Sequence, residues 1–131
     1  ALHRAHRLQD RAAGSGFDWP DTAGPAAKIE EELAEVREHL SDIVPPQPHA
    51  PPVIDAAHEA LEAELGDLLF SCVNLCRKAG VHAGLALDKA NAKFESRVRQ
   101  VEKEASLRGL PVAGLGMTEL DLIWEKVKAE E

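Results

Sequence analysis

The stretch "AELGDLLFSCVNLC", residues 63–76, opens with two acids three residues apart and closes largely apolar. Leu61, Leu65, Leu68, Cys72 and Leu75 recur at the three- and four-residue steps of a helix, so the segment reads as one amphipathic helix. Glu64 and Asp67 share one flank of that stripe. An earlier stretch, "KIEEELAEV" (residues 28–36), repeats the arrangement. Ile29, Leu33, Val36 and Leu40 form its stripe, and Glu32 and Glu35 lie on the flank displaced in the same rotational sense. Two helices joined by a simple linker pack antiparallel about a rough twofold axis, which carries both flanks to one edge of their interface. Four carboxylates are therefore expected to converge. Like charges brought that close repel by several kcal/mol at an effective dielectric of about 20, and a proton or a cation must relieve them. Clustered carboxylates without His or Cys suit hard ions such as Mg²⁺ or Mn²⁺. A lone Glu-x-x-Glu is more often a solvated helix face, and the pattern alone leaves both readings open.

Helical periodicity extends along the whole chain, and no stretch sustains strand alternation. A first helix is expected over residues 3–13, ended by "GSG", followed by a breaker-rich loop, "GFDWPDTAGP". Gly24 and Pro25 open a second helix to about Ile43. The proline-rich segment 45–52 is expected to be a mobile linker. A third helix runs from about Ile54 to Ala79, with Gly80 as its C-cap. A fourth covers about 84–107, where "RGLPVAGLG" breaks it. Thr118 and Asp121 resemble a capping box for a short last helix reaching about Ala129. The expected fold class is all-α: a four-helix-bundle-like single domain over 1–131, with an additional short helix. From Leu68 to Cys76 the third helix is apolar almost all round, with Phe70 and Val73 outside the stripe. A helix apolar on every side predicts a self-association interface and a homodimer or higher homo-oligomer.

The bulk numbers narrow the function. With 131 residues, 44% hydrophobic and 29% charged, the chain is long enough for a core and too apolar for disorder. A net charge of −8 argues against a nucleic-acid polymer or an anionic membrane as partner. No apolar run approaches the roughly 20 residues that span a bilayer. The start at Ala1 predicts a chain trimmed from something longer. Cys72 and Cys76, one turn apart, read as buried reduced thiols of a cytoplasmic protein. The six histidines are scattered, with His3 and His6 expected in solvent. The absence of Glu-x-x-His disfavours a di-iron bundle.

"EEELAE" followed by "ELGDLLF" resembles the Glu-Glu-x-x-Glu and Glu-x-x-Asp motifs of MazG-type nucleoside triphosphate pyrophosphohydrolases. "LQDRAAGSGFDW", "NLCRKAG", "ALDKANAKFESR" and "IWEKVK" extend the resemblance in order over nearly the whole chain. It implies an all-α, Mg²⁺-dependent hydrolase, dimeric, that cleaves nucleoside triphosphates between the α and β phosphates and so clears nucleotide pools. Carried over by position, Glu32, Glu35, Glu64 and Asp67 would hold the metal. Glu31, about 40° round the helix from Glu35, is similar to a residue that helps activate the attacking water, with Glu35 beside it.

The fourth helix would supply the phosphate side. Leu87, Ala90, Phe94, Val98 and Val101 form its stripe, with Lys93 and Arg97 along one edge and Asn91 on the other. A Lys/Arg pair suits polyphosphate charge, although pairing with Glu95 or Asp88 is the plainer alternative. Trp124 and Lys128 match family positions near the nucleotide, and Trp124 could equally anchor the last helix in a core. Ala63 and Ala60 depart from positions that are acidic and basic in some relatives, and the linker is lengthened. Two other functions stand beside the leading one: a helical dimerisation module without catalysis, and a hydrolase restricted to one nucleotide such as dUTP or dCTP.

Overall fold

The structure, a computed structural model, describes residues 1–51 and 54–131. The end of the proline-rich segment, Pro52, lies outside the described residues. Among those described, the chain forms five α-helices, one short 3₁₀ turn and no strand, as the periodicity requires. None of these helices is long and apolar enough to cross a membrane. The polypeptide divides into two units, residues 1–84 and 85–131.

The first unit holds α1 (Leu2–Gly14), α2 (Ala23–Leu40) and α3 (Ala56–Lys78). Its most extensive packing is α2 against α3, with α1 also packed on α3. α2 stops at Leu40, short of the expected Ile43, and continues as a turn. α3 begins two residues later than expected because Asp55 caps it: its carboxylate accepts the His58 amide at 2.9 Å. At the other end, the Gly80 amide donates to the Arg77 carbonyl and the Val81 amide to the Cys76 carbonyl. Gly80 has φ +76°, so this is the Schellman closure that a glycine permits.

The expected stripe of α3 is only partly inside. Ser71 and Val73 are buried, whereas Leu65 is exposed. Val73, placed outside the stripe by sequence, is covered because α3 carries α1 as well as α2. The buried Gln9 of α1 donates its Nε2 to the Phe70 carbonyl at 2.9 Å. Cys72 is exposed and Cys76 half-buried, both free, which corrects the expectation of two buried thiols. The apolar run extends further round α3 than its neighbours cover, and Leu69 is 60% exposed.

Residues 15–22 connect α1 to α2 and tie the end of α3 to the start of α2. Asp18 accepts from Arg77 Nη2 at 2.6 Å and from Lys78 Nζ at 3.1 Å, and these two bonds hold its carboxyl far below the usual range. Next to it, Trp19 packs on Gly24, where a Cβ would come within 2.2 Å of the indole. The start of α2 thus lies beside the end of α3, as in an antiparallel pair.

Most of α4 (Ala83–Leu107) and all of α5 (Met117–Ala129) belong to the second unit. Val101, Ile123 and Val127 form its core, with Leu115, Leu120 and Trp124 packed against them. Only the C-terminal half of the expected α4 stripe is inside: Val101 is buried, while Leu87 and Phe94 are exposed. Gly116 caps α5 without a side-chain bond, and Thr118 lies within the helix, so the expected capping box does not form. Lys126 ties α5 to Glu104 of α4 at 2.8 Å.

Candidate metal centre

Glu32 is buried on α2, Glu35 follows one turn later, and Glu64 faces them from α3, both half-buried. One carboxylate oxygen from each of the three lies within 4.8 Å of the others. α2 and α3 therefore bring the two acidic flanks together, as the matching rotation of the stripes requires. Asp67, one turn beyond Glu64, is exposed and stands outside this triad.

The electrostatics are those of a crowded anionic site. Glu35 is raised to about 7, first by its carboxyl contact with Glu64, then by that with Glu32 and its charge. Lys28, one turn before Glu32, places Nζ 3.0 Å from Glu32 Oε1 and 3.3 Å from Glu31 Oε1. Two other oxygens, Glu32 Oε2 and Glu64 Oε2, are buried without a hydrogen-bond partner among the described residues. Buried carboxylate oxygens are rarely left so. An all-oxygen donor set with orphaned lone pairs fits a hard divalent cation. Sequence reading passed over Lys28, although its spacing to Glu32 was visible.

The residues expected on the phosphate side lie in the second unit. Asn91 and Lys93 are exposed on α4. Arg97 makes a forked ion pair with Glu131, Nε to Oε1 at 2.6 Å and Nη2 to Oε2 at 2.8 Å. Glu95 pairs instead with Arg99. The Arg97 guanidinium also stands 5.6 Å from the ring centre of Trp124, which meets Phe94 at 5.8 Å. Arg97, and more weakly Lys93 and Lys128, hold the Glu131 carboxyl below its ordinary value. Lys128 also lies 3.7 Å from Glu125. Trp124 is half-buried against the core of its unit, so the anchoring role is real whatever else it does.

Two further groupings escaped the sequence. The histidines are not all scattered: His82 stacks between His3 and His6 at 6.0 and 5.9 Å, and His6 pairs with Asp10 at 3.1 Å. His6 is accordingly half-buried and not in open solvent. A largely apolar cavity of about 370 Å³ is lined by Leu8, Phe17, Trp19 and Phe70, among others.

A fold that is all-helical among the described residues, with three carboxylates converging from two adjacent helices, defines a class: helical proteins whose acidic flanks could hold a divalent cation between them. Residues 24–102 match the MazG nucleotide pyrophosphohydrolase domain, and the chain belongs to that family. It is 42% identical over 132 aligned residues to the nucleoside triphosphate pyrophosphohydrolase of Escherichia coli K12, covering 100% of this chain and 46% of the relative. It is 40% identical over 128 residues to the nucleoside triphosphate pyrophosphohydrolase/pyrophosphatase MazG of Thermotoga maritima, covering 98% of this chain and 44% of that protein. Bacillus subtilis YabN, described as uncharacterized, is 35% identical over 78 residues. The chain thus spans about half the length of the first two relatives.

Proposed function

We propose that this chain hydrolyses nucleoside triphosphates between the α and β phosphates, releasing the monophosphate and pyrophosphate. The observation that carries the reading is the triad of Glu32, Glu35 and Glu64 with its two orphaned buried oxygens. Family membership and the names of the E. coli and T. maritima relatives support it.

In this reading Glu32, Glu35 and Glu64 hold Mg²⁺, or Mn²⁺ in its place, and Asp67 joins them from the next turn of α3. When bound, the cation neutralises phosphate charge and lowers the pKa of a coordinated water. A carboxylate beside it, Glu35 with Glu31 adjacent, takes the proton from the water that attacks the α-phosphorus. Glu31 is placed to orient that water: it is exposed, and its carboxylate meets the Lys28 ammonium at 3.3 Å. Lys93, Arg97 and Lys128 meet the remaining phosphate charge and stabilise the leaving pyrophosphate. Asn91 and Trp124 lie near the nucleotide. Self-association is part of the same proposal, favoured by the exposed Leu69 and Phe70 on α3 and Phe94 on α4. A cytoplasmic, pool-clearing role accords with two free cysteines.

The test is incubation with mixed NTPs and dNTPs with Mg²⁺ and with excess chelator. Monophosphate plus pyrophosphate, formed with Mg²⁺ and lost with chelator, is the expected result. Orthophosphate release, or turnover unchanged by chelator, overturns it. The same panel separates a broad hydrolase from one restricted to dUTP or dCTP.

A further inference from the structure

We propose that Glu131 is an internal competitor for the phosphate-binding cations, so that a polyphosphate must displace its carboxylate from Arg97 to bind. The inference rests on the reading of Arg97 as a phosphate contact. Its ground is the forked pair itself, with Arg97 Nε and Nη2 bonded to the two oxygens of one carboxylate at 2.6 and 2.8 Å. Two non-bridging oxygens of a phosphate offer the guanidinium the same planar, bidentate partner. Carboxylate and phosphate therefore claim the same donors and cannot both be satisfied.

Three features make this a replaceable ligand rather than a fixed strut. The Glu131 carboxylate reaches Arg97 on a side chain of rotatable bonds, so it can leave by a change of rotamer. Trp124 holds the guanidinium from its ring face at 5.6 Å, so Arg97 keeps a neighbour when the carboxylate departs. Lys93 and Lys128 add only weaker electrostatic attraction to Glu131, so the Arg97 fork is the main bond to be exchanged. A tethered carboxylate outcompetes dilute singly charged anions by its high local concentration. A triphosphate, with several charges to distribute over three cations, displaces it. Glu131 thereby sets both the affinity for polyphosphate and the discrimination against smaller anions.

The experiment is calorimetric titration of the 131-residue chain with inorganic tripolyphosphate in chelator, comparing wild type with Glu131→Gln, Glu130→Gln and Arg97→Gln. If Arg97 is occupied most of the time, Glu131→Gln tightens binding by about five-fold or more, since apparent affinity scales with the competent fraction. Glu130→Gln removes the same charge one residue away and shifts it less than about two-fold, while Arg97→Gln weakens it. Loss of negative charge alone would tighten binding equally in Glu130→Gln, so a gain confined to Glu131→Gln marks competition. Unchanged or weaker binding in Glu131→Gln, or equal tightening in Glu130→Gln, overturns the competitor role while leaving Arg97 as a phosphate contact. Wild-type binding by Arg97→Gln, or no binding by any variant, overturns the phosphate reading itself.

Discussion

Lys28 neutralises one oxygen of Glu32 at 3.0 Å and leaves the other buried with nothing to bond. Glu32 is therefore half compensated from within its own helix, while Glu35 and Glu64 crowd it with like charge. Lys28→Met removes the cation paired with Glu32 and adds to the repulsion of the metal-free protein. Its melting temperature in chelator should fall, and the gain on adding Mg²⁺ should grow relative to wild type. Thermal melts with and without Mg²⁺ check this, and an unchanged Mg²⁺ increment would count against it.

The raised Glu35 carboxyl gives the metal-free protein a pH dependence with a definite sign. Its folded value of about 7 exceeds the ordinary 4.5, so folding favours the protonated form. That contribution is fully present below about pH 4.5 and is lost as pH rises through 7. Melting curves in chelator should decline across this window from this group. Glu35→Gln should flatten the decline, and so should Mg²⁺ in the wild type.

Substitution of the acids should separate the triad from its neighbour. Glu32→Gln and Glu64→Gln should each reduce kcat/KM for NTPs by more than ~100-fold, about 2.7 kcal/mol of transition-state stabilisation. Asp67→Asn reports whether the exposed carboxylate joins when metal and substrate are present. A loss as deep as that of Glu32→Gln would make it a fourth ligand. Steady-state kinetics at saturating Mg²⁺ is the measurement.

In the second unit, Ile123 is 1% exposed at the centre of a small core with Val101 and Val127. Ile123→Ala deletes three buried carbons and should cost about 2–4 kcal/mol, whereas Ile123→Val should cost about 1 kcal/mol. Denaturant unfolding checks both values.

At the entry to α2, Gly24→Ala would place a methyl 2.2 Å from the Trp19 ring. The indole must swing away, at a cost of about 1–3 kcal/mol for overpacking. A red shift of Trp19 emission, read in a Trp124→Phe background, should accompany the loss of stability.

How much of this was legible beforehand follows the range of each interaction. Helices and their glycine stops were readable because they depend on neighbours within a turn or two, as Gly80 shows. The meeting of Glu32, Glu35 and Glu64 was readable because two stripes fix two rotations. Burial along those stripes was not, since the extent of cover by a neighbour is not written in the helix itself. Phe94 continues the α4 stripe and is 61% exposed. The Asp55 cap is a local signal, and it sets the start of α3 at Ala56 rather than at about Ile54. The Asp18–Arg77 pair and the Arg97–Glu131 fork join residues far apart in sequence, and no local pattern announces them.

The strap at Asp18 and Trp19 bears on how the acidic helices tolerate each other. Left to their charges, the flanks of α2 and α3 would drift apart. Their separation is instead held at a distance, where one end of α3 is bolted through Asp18 to the turn that seats the head of α2. A cation that binds the triad would therefore meet two helices already held together, and its loading should proceed without a slow rearrangement of the backbone.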